Sequence, residues 1–203
     1  VGIDSNSVIK KPLKNRNKPI IFYGTSITQG GCASRPGMAH TNIISRKLDL
    51  DCINFGFSGN GRMEQPIAKL ISESKPLFYV IECMPNMINQ ENVANNTIPL
   101  VDTIRENNPE APIVFVENFI PTSPILDKKR ANDIKGMNLA LKTEYQKMIS
   151  DGYHNIFYIK TENAIGNDNE GTVDGVHFTD LGFSRYADFL IDKFVEFGLI
   201  DTK

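Results

Sequence analysis

The stretch KPIIFYGTSITQGG, residues 18–31, decides how the chain is read. An apolar run from Pro19 to Tyr23 stops at Gly24, gives way to the small hydroxylated residues Thr25, Ser26 and Thr28, and ends in two glycines. This is the pattern of a buried strand breaking into a tight turn, the place where α/β proteins expose reactive groups. Ser26 sits in that turn and is the first candidate for chemistry.

Four further apolar runs repeat the pattern: DCINFGF (51–57), PLFYVIEC (76–83), APIVFVENF (111–119) and NIFYIK (155–160). Longer stretches with helical spacing follow the five runs, at 38–49, 63–74, 92–107, 128–150 and 181–197. Five strand–helix units in series predict an α/β fold, a three-layer α/β/α sandwich around a five-stranded, mainly parallel sheet. The last helix is the plainest. Phe183, Tyr186, Ala187, Leu190, Ile191, Phe194 and Val195 recur at spacings of three and four, so one face is buried.

With 203 residues, 40% of them hydrophobic, the chain fits one domain with a sizeable core. Residues 1–17, VGIDSNSVIKKPLKNRN, are polar and lysine-rich without periodicity and read as a linker or lead-in, which puts the domain at 18–203. Val1 in place of Met leaves room for a removed leader or a preceding module, and with it a leaning toward export. A net charge of −2 without a dense basic block points away from nucleic acid and anionic membrane surfaces as partners, and toward a small neutral or weakly charged ligand. No run reaches the roughly 18 apolar residues of a membrane helix, so no membrane insertion is expected. Three cysteines cannot all pair within the chain. Cys52 and Cys83, in strand-like runs, read as buried free thiols, and Cys32 as a small packing residue or a thiol-reagent target beside Ser26.

In an open parallel sheet the ligand crevice lies beyond the carboxyl ends of the strands, so residues 24–31, 58–62, 84–89, 119–125 and 166–179 carry the chemistry. GTSITQGG lacks the lysine of a phosphate loop, and GFSGNG has its glycines in the wrong order for a dinucleotide fingerprint; no nucleotide cofactor is expected. A nucleophilic serine needs a base, a carboxylate that orients the base, and donors for the oxyanion. His40 in the first helical pattern and His154 at the fifth strand read as capping or packing residues. His177 differs, because TVDGVHFTDLG (172–182) sets it in a glycine-punctuated loop just ahead of the strongest helix. Asp174, three residues earlier, can fold back onto its Nδ1. The same spacing suits half a metal site or an Asx turn, although no other cluster completes a metal site. The oxyanion donors available are the Ser26 N–H, the Gly59 N–H and the Asn86 amide, each from a different strand end.

Together these residues resemble the SGNH (GDSL-like) hydrolases, whose four sequence blocks carry Ser, Gly, Asn and His in that order. GTSIT (24–28), NFGFSGNG (54–61), MPN (84–86) and DGVHFTDLG (174–182) correspond to the four blocks and span nearly the whole domain. The resemblance implies the flavodoxin-like SGNH fold, a Ser26–His177–Asp174 triad, an oxyanion hole of Ser26, Gly59 and Asn86, and no cofactor or metal. Two residues depart from the family pattern: Thr25 replaces the usual Asp beside the nucleophile, and Met87 replaces the Asp that often follows the block-three Asn. The strings GTSIT, GFSGNGRME and PNM look most like a bacterial branch whose members often carry a β-sandwich module before the hydrolase domain. The family includes acetylesterases of decorated sugars, lipases and acyl-thioesterases. The polar segments GGCASRPG, SGNGRMEQ and GNDNEGT favour a small acyl group on a polar, carbohydrate-like alcohol, with Arg35 and Arg62 as candidate substrate contacts. A non-catalytic carbohydrate-binding domain and a flavodoxin-like binding domain are the readings from other classes.

Overall fold

Strands β1 (Ile20–Thr25), β2 (Cys52–Phe57), β3 (Phe78–Glu82), β4 (Ile113–Val116) and β5 (Ile156–Ile159) form one sheet in the order β2-β1-β3-β4-β5, and every neighbouring pair is parallel. The computed structural model describes residues 2–10, 18–120 and 128–201. Val1 and residues 11–17 of the lead-in, and residues 121–125 of the fourth strand-end loop, lie outside the described residues. Helices are α1 (Ser26–Gln29), α2 (His40–Leu48), α3 (Gln65–Ser72), α4 (Gln90–Asn107), α5 (Lys128–Ser150) and α6 (Asp180–Glu196).

Period-two alternation along the inner strands feeds two separate cores. Ile20, Phe22, Phe78 and Val80 pack with α2 and α6 through Ile44, Leu190 and Phe194, while Ile21, Tyr23, Tyr79 and Ile81 pack with α3, α4 and α5 through Ile71, Leu100 and Leu141. The first crossover, β1 to β2, steps one way along the sheet and the later ones step the other way. Right-handed crossovers then require the first helix on the opposite face from the later ones, which is the division observed. Loops after β1 and β3 therefore part company, and a crevice opens between them at the carboxyl ends of the strands.

The helix boundaries differ from the sequence pattern where caps intervene. Residues Pro36–Met38 make a separate 3₁₀ turn, so α2 starts at His40. α4 starts two residues early because the Asn89 side chain accepts the Asn92 N–H at 2.8 Å, and it continues through Pro99. The turn after β1 holds a one-turn helix rather than irregular chain. All three cysteines are free, and Cys83 is buried as expected. Cys52 is only half-buried, since β2 is an edge strand whose Ile53 is also exposed, and Cys32 is exposed in the left-handed region at φ 69°. Among the described residues no helix is long and apolar enough to cross a membrane.

Truncating Leu190→Ala, fully buried on α6, is expected to cost about 2–5 kcal/mol in urea unfolding. Leu139→Ala on the exposed face of α5 is expected to stay within about 0.5 kcal/mol.

Candidate active site

Ser26 is the first residue of α1, and both ends of that single turn are closed. The Thr25 hydroxyl accepts the Ile27 N–H, and the Thr28 hydroxyl accepts the Thr25 N–H, each at 3.3 Å, which makes a capping box. Thr25, the departure from the family's Asp, is thus the N-cap. Gly30, at φ 96°, ends the turn and returns its N–H to Ser26 and Ile27 carbonyls. Ser26 is held on rigid backbone at the mouth of the crevice.

The His177 loop is a small antiparallel excursion in which Thr172 pairs with Phe178 and the Val173 N–H donates to the His177 carbonyl at 2.8 Å. At its tip Asp174 Oδ1 accepts the backbone N–H groups of Val176 (2.9 Å) and His177 (2.7 Å), an Asx turn. Its Oδ2 lies 2.7 Å from His177 Nδ1. One carboxylate therefore makes both the turn and the imidazole contact. With the Nδ1 proton directed at Asp174, Nε2 is free to accept, and Ser26 Oγ stands 3.0 Å from it. Burial pulls the Asp174 pKa up, but the His177 ring and the two backbone N–H groups together outweigh it and hold the carboxyl at about 2.

Two contacts dock the Ser26 side of the crevice onto the His177 side. The Ser34 N–H and hydroxyl donate to the two oxygens of Asp180, at the start of α6, at 2.9 and 2.5 Å. Gly31 passes the imidazole so closely that a Cβ there would lie 3.3 Å from His177 Cδ2. Among the described residues no group of three His, Cys, Asp or Glu side chains could hold a metal ion.

The second and third strand ends meet each other next to the end of β1. Gly59, at φ 70°, has open space where a Cβ would sit. Asn86 ends the 3₁₀ turn Met84–Asn86, and its Nδ2 donates to the Asn60 carbonyl at 2.5 Å. Gly61 lets the loop cross the end of β1, for any Cβ there would fall 2.0 Å from the Gly24 carbonyl oxygen. Met87, the second departure from the family pattern, is buried in the core of α3–α5. Arg62 donates from Nε to the Asn86 carbonyl (2.9 Å) and from Nη2 to the Gly59 carbonyl (2.8 Å). Arg35 stays exposed at the rim, 3.1 Å from Ser34 Oγ and 3.9 Å from Asp180. His154 pairs with Glu110 on the surface, at the opposite end of the sheet.

Sequence reasoning missed what lies under α1. Glu82, at the end of β3, is buried, and its Oε2 accepts from the Thr28 hydroxyl and faces His40 Nε2, each at 3.0 Å. Its Oε1 accepts the Tyr186 hydroxyl at 2.8 Å. His40 is a fully buried partner of this carboxylate, enclosed by the Phe22, Phe183 and Tyr186 rings. Burial first, then the Glu82 charge, pushes the Tyr186 pKa well above its ordinary value. The available signal was a lone carboxylate inside the apolar run 76–83.

Residues 17–195 match the GDSL-like lipase/acylhydrolase family. A candidate GDSL-like lipase of Bacteroides ovatus ATCC 8483 shares 32% identity over 96% of this chain and 56% of its own, with a TM-score of 0.88. The chain thus spans little more than half of that relative. The salicylyl-acyltransferase SsfX3 of a tetracycline biosynthetic pathway (17% identity, 93% of this chain, 57% of its own, TM-score 0.77) shares the fold. So does a family two carbohydrate esterase of Clostridium thermocellum solved with cellohexaose (16%, 96%, 68%, TM-score 0.66). No curated protein matches the chain.

Two expectations follow from the geometry. The depressed Asp174 pKa means its carboxylate contributes stability above the unfolded value of 3.8, and this is lost as pH falls through about 2. A carboxyl ¹³C titration is expected to give that midpoint, and His177→Ala is expected to move it up toward 3.8. Glu82→Gln would set an amide N–H₂ in place of one oxygen, against either the Tyr186 hydroxyl or the Thr28–His40 pair, at an expected cost of about 1–3 kcal/mol in chemical unfolding.

Proposed function

The chain belongs to the GDSL-like lipase/acylhydrolase family, and from that premise we propose that it is a serine esterase removing a short acyl group, acetyl foremost, from a carbohydrate or another polar alcohol. Ser26 Oγ attacks the ester carbonyl while His177 Nε2 takes its proton. The tetrahedral oxyanion lies against the Ser26 N–H, the Gly59 N–H and the Asn86 amide. On collapse His177 returns the proton to the leaving alcohol, then deprotonates the water that resolves the acyl-enzyme. Asp174 keeps the Nδ1 proton in place and stabilises the imidazolium as it forms.

The observation that carries this reading is the unbroken chain from Ser26 Oγ to His177 Nε2 (3.0 Å) and from His177 Nδ1 to Asp174 (2.7 Å), built across 151 residues of sequence. The preference for a polar alcohol rests on the same edge of the sheet. A cleft of about 300 Å³ beyond β4 and β5 is lined by Glu117, Asn118, Ile120, Asn138, Thr161, Glu162 and Asn163, a mostly polar wall suited to hydroxyl groups in which the Asn138 amide is committed to the Asn118 backbone. The fold shared with an esterase solved with cellohexaose agrees with that preference.

Release of p-nitrophenol from acetate through octanoate esters tests the proposal. Wild type is expected to act best on acetate, and Ser26→Ala to lose at least about 10⁴-fold in kcat. Asn86→Ala is expected to lose about 10²- to 10³-fold in kcat. Equal rates from wild type and Ser26→Ala would remove Ser26 as the nucleophile, whereas a rate that climbs with chain length would replace the short-acyl reading with a lipase.

A further inference from the structure

We propose that Arg62 is a positioning residue for the oxyanion hole, a brace that fixes the Gly59 and Asn86 loops relative to each other. The inference rests on the reading above, in which these two residues bind the oxyanion. They come from different strand ends, and a donor displaced by about 1 Å can cost on the order of 100-fold in rate. No side chain of its own holds Gly59, and nothing lies within 4 Å of where its Cβ would be. The bond from Arg62 Nη2 to its carbonyl, at 2.8 Å, holds it.

A guanidinium suits this task. Nε–H and one Nη2–H leave the same edge of a rigid plane, so accepting from both fixes the Gly59 and Asn86 carbonyls in mutual register. The backbone of Arg62 is itself anchored on both sides. Its N–H donates to the Glu64 carboxylate at 2.6 Å, and its carbonyl accepts from Asn96 Nδ2 of α4 at 2.8 Å. The Tyr23 hydroxyl, from the fully buried middle of β1, binds that same Glu64 oxygen. A direct line of hydrogen bonds thus runs from β1 through Glu64 and Arg62 to both proposed donors. The Asn86 amide completes it: its Nδ2 donates to the Asn60 carbonyl at 2.5 Å, and its longer contact to the Phe57 carbonyl, at 3.5 Å, is the one an oxyanion would displace.

The sequence had offered Arg62 as a substrate contact, and the two roles separate kinetically. A brace acts on the transition state, so Arg62→Ala is expected to lower kcat for p-nitrophenyl acetate about 100-fold, with KM within about threefold of wild type. Arg62→Lys, a single point charge that cannot span both carbonyls, is expected to recover less than tenfold of that loss. Ethylguanidinium added at millimolar concentration is expected to raise kcat of Arg62→Ala and to leave wild type unchanged, a response that a merely destabilised fold does not give. Thermal unfolding of each variant identifies any that fail to fold, and Arg62→Lys carries the test if Arg62→Ala does not.

Asn86→Ala, assayed alongside, separates the two layers of the argument. Wild-type turnover in Asn86→Ala would sink the oxyanion reading and the brace with it. Turnover lost in Asn86→Ala but retained in Arg62→Ala would overturn the brace alone, and so would an Arg62→Ala defect confined to KM, which is the signature of a substrate contact.

Discussion

The buried carboxylate of Glu82 is the constraint from which the site is built. An unpaired carboxylate in that position would be prohibitively costly to desolvate, so its donors have to meet it. They come from three elements far apart in sequence: Thr28 on α1, His40 at the start of α2 and Tyr186 on α6. Satisfying one side chain at the end of β3 therefore fixes the helix that begins with Ser26 and the helix that follows His177. The Thr28 hydroxyl is the hinge of this arrangement, since it donates to Glu82 and accepts the Thr25 N–H of the capping box in the same geometry.

This also explains which parts could be read from the sequence. The sheet and its helices were legible because strand burial and the α6 stripe are local patterns, carried by residues such as Ile20–Tyr23 and Phe183–Phe194. Asp174 and His177 were legible because three residues of chain suffice to close the carboxylate onto the ring. The Glu82 network was not. Its members lie 42, 54 and 104 residues from Glu82, separations that no periodicity records, and His40 taken alone looks like an ordinary helix residue. Arg62 reads in the sequence as a candidate substrate contact, but its proposed role depends on two backbone carbonyls, which a sequence cannot display. α1 escaped for another reason: a single turn closed by hydroxyl caps and a left-handed glycine has the composition of a loop.

Around the crevice, three further long-range connections end on carboxylates that take several donors. Glu64 gathers Tyr23 and the Arg62 backbone, Asp180 gathers Ser34 twice, and Asp168 takes both arms of Arg185, which pins the chain between β5 and the His177 loop to α6. Loops with little apolar surface of their own are thereby ordered by charge-assisted bonds to helices and strands. The folded pKa of Glu64, Asp168 and Asp180 is lowered by these bonds, against the opposing effect of burial.

The exposure of the proposed triad decides what Asp174 contributes. Its side chain is 48% exposed and that of His177 29%, so water screens the attraction between carboxylate and imidazolium. Its low pKa comes from three donors rather than from an apolar setting. Orientation is then the larger part of its work: Oδ1 ties the backbone of Val176 and His177, Oδ2 ties the ring of the same His177, and the imidazole has both its attachment point and its rotation set by one group. A shallow site that cannot rely on low dielectric has to rely on placement, and the same logic runs through the Thr25–Thr28 capping box, the Glu82 hub and the Arg62 brace.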